Sequence, residues 1–179
     1  MLKSMLFLAG ALLVGSAARA QAPAAEVKAL TARLNQLLAD PTSPDEHTKV
    51  RVSLAGCGFR QTIRKYRTPD HASTTNIAVS NSKNGSSWGF KSNENVEMEL
   101  TLAQEWAEVG TVTYAAKEDE GGRRYYDLVV KRRDGADGKA PSGIAATITL
   151  ALHTGSEQEV AALVKRLEAV RGQCVGRKG

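Results

Sequence analysis

Two cysteines, and only two, constrain this chain more than any other feature. Cys57 stands between two glycines in LAGCGFRQ, Leu54 to Gln61, inside a stretch that otherwise alternates like a β-strand. Cys174 stands far downstream in RGQCVG. Whether the two are joined depends on the compartment, and the first residues speak to that. Lys3 precedes an apolar run from Met5 to Val14, and the small-x-small triplet Ala18, Arg19, Ala20 follows it. This is the layout of a secretory signal peptide cleaved after Ala20. The apolar run is much shorter than the roughly 20 residues a membrane-spanning helix needs. No cysteine lies beside the cleavage position to accept a lipid. The expectation is a leader over residues 1–20 and a single globular domain over 21–179. That domain is exported to the periplasm or the cell exterior, released in soluble form, and not membrane-spanning.

Export makes a Cys57–Cys174 disulfide the default pairing, because disulfides persist in oxidising compartments and two cysteines allow one intramolecular bridge. Free thiols, intermolecular pairing and redox chemistry are the alternatives. The absence of a C-x-x-C pair disfavours the last of these. The loop from residue 57 to residue 174 is long, and chain-entropy arguments assign bridges of that kind roughly 4 to 5 kcal/mol.

Periodicity supplies the elements. Val27, Leu30, Leu34, Leu37 and Leu38 form one helical stripe in Ala24 to Leu38. After the two-proline loop DPTSPDEH, the apolar residues sit at even positions (Val50, Val52, Leu54) and then at odd ones (Cys57, Phe59, Ile63). A strand keeps a period of two, so the parity change calls for a β-bulge at Gly56 or Gly58, or for two short strands separated by a bend. Ile77 and Val79 make a short strand, and SNSKNGSS, Ser80 to Ser87, reads as a polar loop with an Asn-Gly turn. Trp88 and Phe90 begin another strand. NVEMELTL alternates most cleanly, with Val96, Met98, Leu100 and Leu102 on one face, which implies an antiparallel sheet wet on one side. AQEWAEVG interrupts as a short turn or a single helical turn, TVTYAAKED resumes, EGG turns into RRYYDLVVKRR, and IAATITLAL follows the loop DGADGKAPSG. Ser156 and Glu159 fit a capping box opening a helix whose stripe is Val160, Leu163, Val164, Leu167 and Val170. Gly172 suits its end, with Cys174 just beyond.

The fold class expected is α+β: a strongly bent antiparallel sheet or partly open barrel of six to eight strands, with one N-terminal and one C-terminal helix. LAQEWAEVGTVTY, Leu102 to Tyr114, followed by YYDLVV, resembles the strand and turn pattern of pleckstrin-homology-like domains, where a strand meander is closed by a terminal helix. The whole also resembles small secreted bacterial proteins of unknown function with one cysteine in an early strand and one after a final helix. Neither resemblance implies a catalytic site.

With 24% charged residues the composition is that of an ordinary globular domain. The formal charge of +5 includes Lys3 and Arg19 of the leader, so the mature chain is less basic than it looks. His47, His71 and His153 show no metal-ligand spacing, so no metal is expected. DGADGK lacks the alternate oxygen ligands of a calcium loop. No cofactor fingerprint or nucleophile elbow occurs. Glu97 and Glu99 share a strand face and read as a solvated surface. The residues left as candidates are cationic: Arg60, Arg64, Lys65 and Arg67 along one strand edge, and Arg123, Arg124, Lys131, Arg132 and Arg133 bracketing another. Were those strands neighbours, the cations would form an anion-binding patch, with Glu118, Asp119, Glu120 and Asp127 opposing it. Solubilising charge is the competing reading. The leading expectation is a non-enzymatic exported binding or interaction module whose partner is an anionic surface or another protein, with nucleic acid not expected. The alternatives are a secreted enzyme whose site is assembled from scattered residues, and an anion, polysaccharide or membrane-surface binder working through the arginine-rich strands.

Overall fold

The computed structural model describes residues 24–40, 47–68, 76–83, 85–93, 95–135 and 146–175. The leader with its cleavage position at Ala20, His71 and most of the loop 134–143 lie outside them. Along the chain come α1 (Ala24–Leu37), β1 (Thr48–Ala55), β2 (Gly58–Tyr66), β3 (Ile77–Lys83), β4 (Ser86–Ser92) and β5 (Val96–Glu105). A 3-10 turn, Trp106–Glu108, leads to β6 (Val109–Glu118), β7 (Arg124–Arg132), β8 (Thr147–Leu152) and α2 (Glu157–Val175). The class is α+β, with a helix at each end of the strand series. The strands form two antiparallel sheets, ordered β1-β2-β5-β4-β3 and β6-β7-β8, and do not close into a barrel. The division falls at the 3-10 turn, where the buried Trp106 ends β5 and the chain passes into the second sheet.

The parity change across Gly56 comes from a hairpin and not from a bulge. Leu54 lies opposite Phe59 and Ala55 opposite Gly58. The two residues between them, Gly56 and Cys57, both have positive φ, +56° and +60°. Such a two-residue turn matches the natural twist of paired strands. Partners across it differ by an odd number, so even-numbered Val52 and Leu54 share a face with odd-numbered Phe59 and Gln61. Ser80 to Ser87 also departs from expectation. β3 continues to Lys83 and β4 starts at Ser86, leaving only a two-residue turn with Gly85 at φ +71°. A polar run can be strand here because β3 is an outer strand with all seven residues exposed.

The core lies between the sheets and under both helices. Leu30 and Leu34 of α1, Phe59 of β2, Leu128 of β7, Leu150 of β8 and Leu167 of α2 are all essentially inaccessible. At the start of α2 the Ser156 hydroxyl accepts the Glu159 N–H at 3.3 Å, which is half of the expected capping box. The Glu159 carboxylate turns away, taking the Thr154 hydroxyl at 3.0 Å and pairing with Arg33 of α1. Gly172 does not end the helix, which runs on to Val175 and carries Cys174 in its last turn. From there Cys174 is bonded to Cys57 in the β1–β2 turn, with Cα atoms 5.6 Å apart. The bridge ties the first hairpin to the final helix.

β1 is an outer strand, and α1 closes its edge with one side chain. The Asn35 amide donates to Val52 C=O and accepts from Val52 N–H, both at 2.8 Å, as a neighbouring strand would. Asn35→Ala leaves both groups unpaired next to a buried residue, and the expected loss is about 2 kcal/mol. Urea unfolding measures it, and faster amide exchange at Val52 separates it from a general loosening of α1. A loss below the error of the fit would remove the edge-closing role.

Candidate functional site

The other sheet edges show how unusual β3 is. On β6, Val112 N–H donates to Glu168 of α2 at 3.2 Å, and Arg171 donates to Val109 and Gly110 carbonyls at 3.0 and 3.1 Å. Toward β8, the buried Gln61 side chain donates to Thr149 C=O at 3.3 Å. Both helices and an inward glutamine are thus spent on edges. Among the described residues nothing bonds the far side of β3. An exposed strand edge is a row of unpaired N–H and C=O groups ready to pair with another chain.

The side chains beside that edge are apolar on one face. Register places Ile63, Leu100, Phe90 and Val79 directly across from one another on β2, β5, β4 and β3. One step along the same face, Met98 and Ile77 extend the row into a shelf. Near the β1–β2 turn this face is sealed, with Leu54, Phe59, Gln104 and Ser86 buried. Away from the turn it opens: Ile63, Phe90 and Met98 are half-buried and lie outside the core cluster, and Ile77 and Val79 are 46% and 50% exposed. The cause is size. Three strands and two helices cannot cover the inner face of five strands, so its β3 corner is left over. Residues 76–93, which make up β3, β4 and their turn, contain Lys83 and Lys91 and no acidic residue.

The cationic candidates are divided between the two sheets. β2 is an interior strand, flanked by β1 and β5, so Arg60, Arg64 and Lys65 do not lie along a sheet edge. β7 is the middle strand of the other sheet and pairs with β6 and β8, so the two arginine-rich strands are not paired neighbours. Arg64 donates to Glu99 at 2.5 Å, and this bond holds its guanidinium above its ordinary pKa. Lys65 lies 3.1 Å from Glu97, and Arg67 donates to Asn93 C=O and the Ser92 hydroxyl, each at 3.0 Å. Arg60 is exposed beside Ser53 and Ala103 on the outer face. On the second sheet Arg124 and Lys131 are exposed, Arg124 opposite Glu118. Arg132 is half-buried, its N–H donating to Ala146 C=O, and Arg133 is exposed, its N–H donating to Glu108 C=O.

The carboxyls with displaced pKa values belong to surface ion pairs. A hydrogen bond from Arg166 lowers Glu26, and the Arg123 backbone N–H lowers Asp119. His153 stacks on Tyr125 and lies 3.9 Å from Asp40. Among the described residues no group of three or more His, Cys, Asp or Glu could hold a metal ion, and no helix is long and apolar enough to cross a membrane. Periodicity found Ile77 and Val79 as strand residues, but only strand order shows that they border an open edge. No protein-family model, curated protein or solved structure matches this chain.

Proposed function

We propose that this is an exported binding module that takes an extended segment of another polypeptide as a sixth strand beside β3. The observation that carries the reading is the conjunction of a bare β3 edge with a shelf of apolar side chains that ends there, at Val79 and Ile77. Main-chain pairing on the edge would supply affinity, and alternate side chains falling on the shelf would supply selectivity. The partner strand has apolar residues at every second position, to extend the row Ile63, Leu100, Phe90, Val79. The lysines of the β3–β4 hairpin, with no acid among them, favour acidic residues at the positions between. The Cys57–Cys174 bridge supports an oxidising compartment as the place of action.

Selection from a library of extended peptides tests this. Winners are expected to alternate apolar with acidic residues and to slow amide exchange in β3. Val79→Lys is expected to weaken them about tenfold or more, since it removes an apolar contact that the bound strand would bury and places a charge on the shelf. Winners without alternation, or exchange in β3 left unchanged, would sink the proposal. Sedimentation showing a dimer that Val79→Lys dissociates would mean that a second copy occupies the edge. Retention on heparin that falls with salt and with Arg60→Ser, in the absence of peptide winners, would move the reading to an anion binder.

A further inference from the structure

A second open position lies on the opposite side of the same sheet, one step from Asn35. Tyr66 N–H donates to His47 C=O at 2.8 Å, which fixes the phase of β1 against β2. Odd-numbered residues of β1 bond β2, and even-numbered ones direct N–H and C=O outward. Val52 is one of these and is taken by Asn35. Leu54 is the next. It is only 4% exposed, and among the described residues no hydrogen bond reaches its N–H or its C=O. An outward-facing N–H and C=O on an edge strand are ready to pair with a donor and an acceptor on another molecule. Leu54 opens on a cavity of about 590 Å³ between α1, the β1–β2 turn and the end of α2. Trp106, Val170 and the Cys57–Cys174 bridge wall it, and Lys28 and Ala32 of α1 form its rim. The volume is that of a small-ligand site. Lys28 is exposed and makes no ion pair among the described residues.

We infer that this cavity binds an α-amido carboxylate with an apolar side chain, the chemistry shared by a free N-acylated amino acid and the C-terminal residue of a polypeptide. The ligand's N–H donates to Leu54 C=O. Its carboxylate accepts from Leu54 N–H and faces the Lys28 ammonium. Its apolar side chain lies against Val27 and the Cys57–Cys174 bridge. Asn35 already demonstrates the two-point pattern, one donor and one acceptor on a single residue of β1, at the adjacent position.

The test follows the Leu54 amide in the ¹⁵N spectrum of the oxidised protein. The probes are N-acetylphenylalanine, its methyl ester, and an octapeptide ending in phenylalanine as free acid or as amide. The acids are expected to move the Leu54 amide proton downfield and saturably. The ester and the amide should bind about tenfold more weakly, and Lys28→Glu should weaken the acids by about the same factor. Ala32→Trp, at an exposed helix position, should fill the cavity and abolish the shift with the rest of the spectrum intact. Equal affinity for the small acid and the peptide identifies a free metabolite as the ligand, and markedly tighter peptide binding identifies a chain terminus. A Leu54 amide that stays still at millimolar acid overturns the inference. So does binding that the ester and Lys28→Glu leave undiminished.

Discussion

Replacing both Cys57 and Cys174 with serine is expected to lower the unfolding free energy by about 4 to 5 kcal/mol. The bridge closes a loop of 117 residues. That loop holds seven of the eight strands and nearly all of α2. Cutting it releases loop-closure entropy to the unfolded chain while leaving the folded contacts in place. The comparison is clean at the turn, because Cys57 sits at φ +60° and serine bears the same left-handed conformation with a side chain of similar size. For a domain whose whole net stability is on the order of 5 to 15 kcal/mol, the loss leaves little margin. Denaturant unfolding of the double variant against the oxidised native protein measures it. A change under about 1 kcal/mol would show that the hairpin and α2 are held by packing alone.

Trp106→Ala is expected to cost about 3 to 5 kcal/mol. Trp106 is 1% exposed and meets Phe59 edge-on, with ring centroids 5.6 Å apart and planes at 74°. Its backbone N–H, which alanine keeps, donates to Cys57 C=O at 2.9 Å and ties the exit of β5 to the β1–β2 turn. Removing the indole empties the point where both sheets, the 3-10 turn and the bridge converge, and the backbone there has little freedom to collapse into the space. Trp106→Phe keeps an aromatic wall and should lose roughly half as much. Urea unfolding followed by circular dichroism reads both variants. Equal, small losses would show that the site relaxes freely.

Much of the fold could be read from short windows. The stripes of α1 and α2 and the alternation from Val96 to Leu102 recur at the periods their elements demand, so burial of one face followed directly. The two cysteines allowed one bridge, and the structure contains it. The misreadings were local conformations with two solutions. An apolar parity change suits either a bulge or two short strands separated by a bend; the second holds, and only the pairing of Leu54 with Phe59 chooses between them. Gly172 can end a helix, yet α2 runs on to Val175, with the bridged Cys174 in its last turn. Ser80 to Ser87 looked like a loop because an outer strand need not bury anything.

The candidate sites were less legible than the fold. Arg60 and Arg124 announce themselves by type, whereas a bare edge and an unbonded Leu54 are defined by what fails to reach them. The sequence by itself determined which residues are apolar, at what period, and which sulfurs could join. That information is carried by neighbours a few positions apart and survives without a fold. The tertiary structure alone decided that β2 is interior, that β3 is outermost, and that the inner face of five strands outruns its cover. Strand order and the areas of two opposed layers are properties of contacts between distant segments, and no local period encodes them.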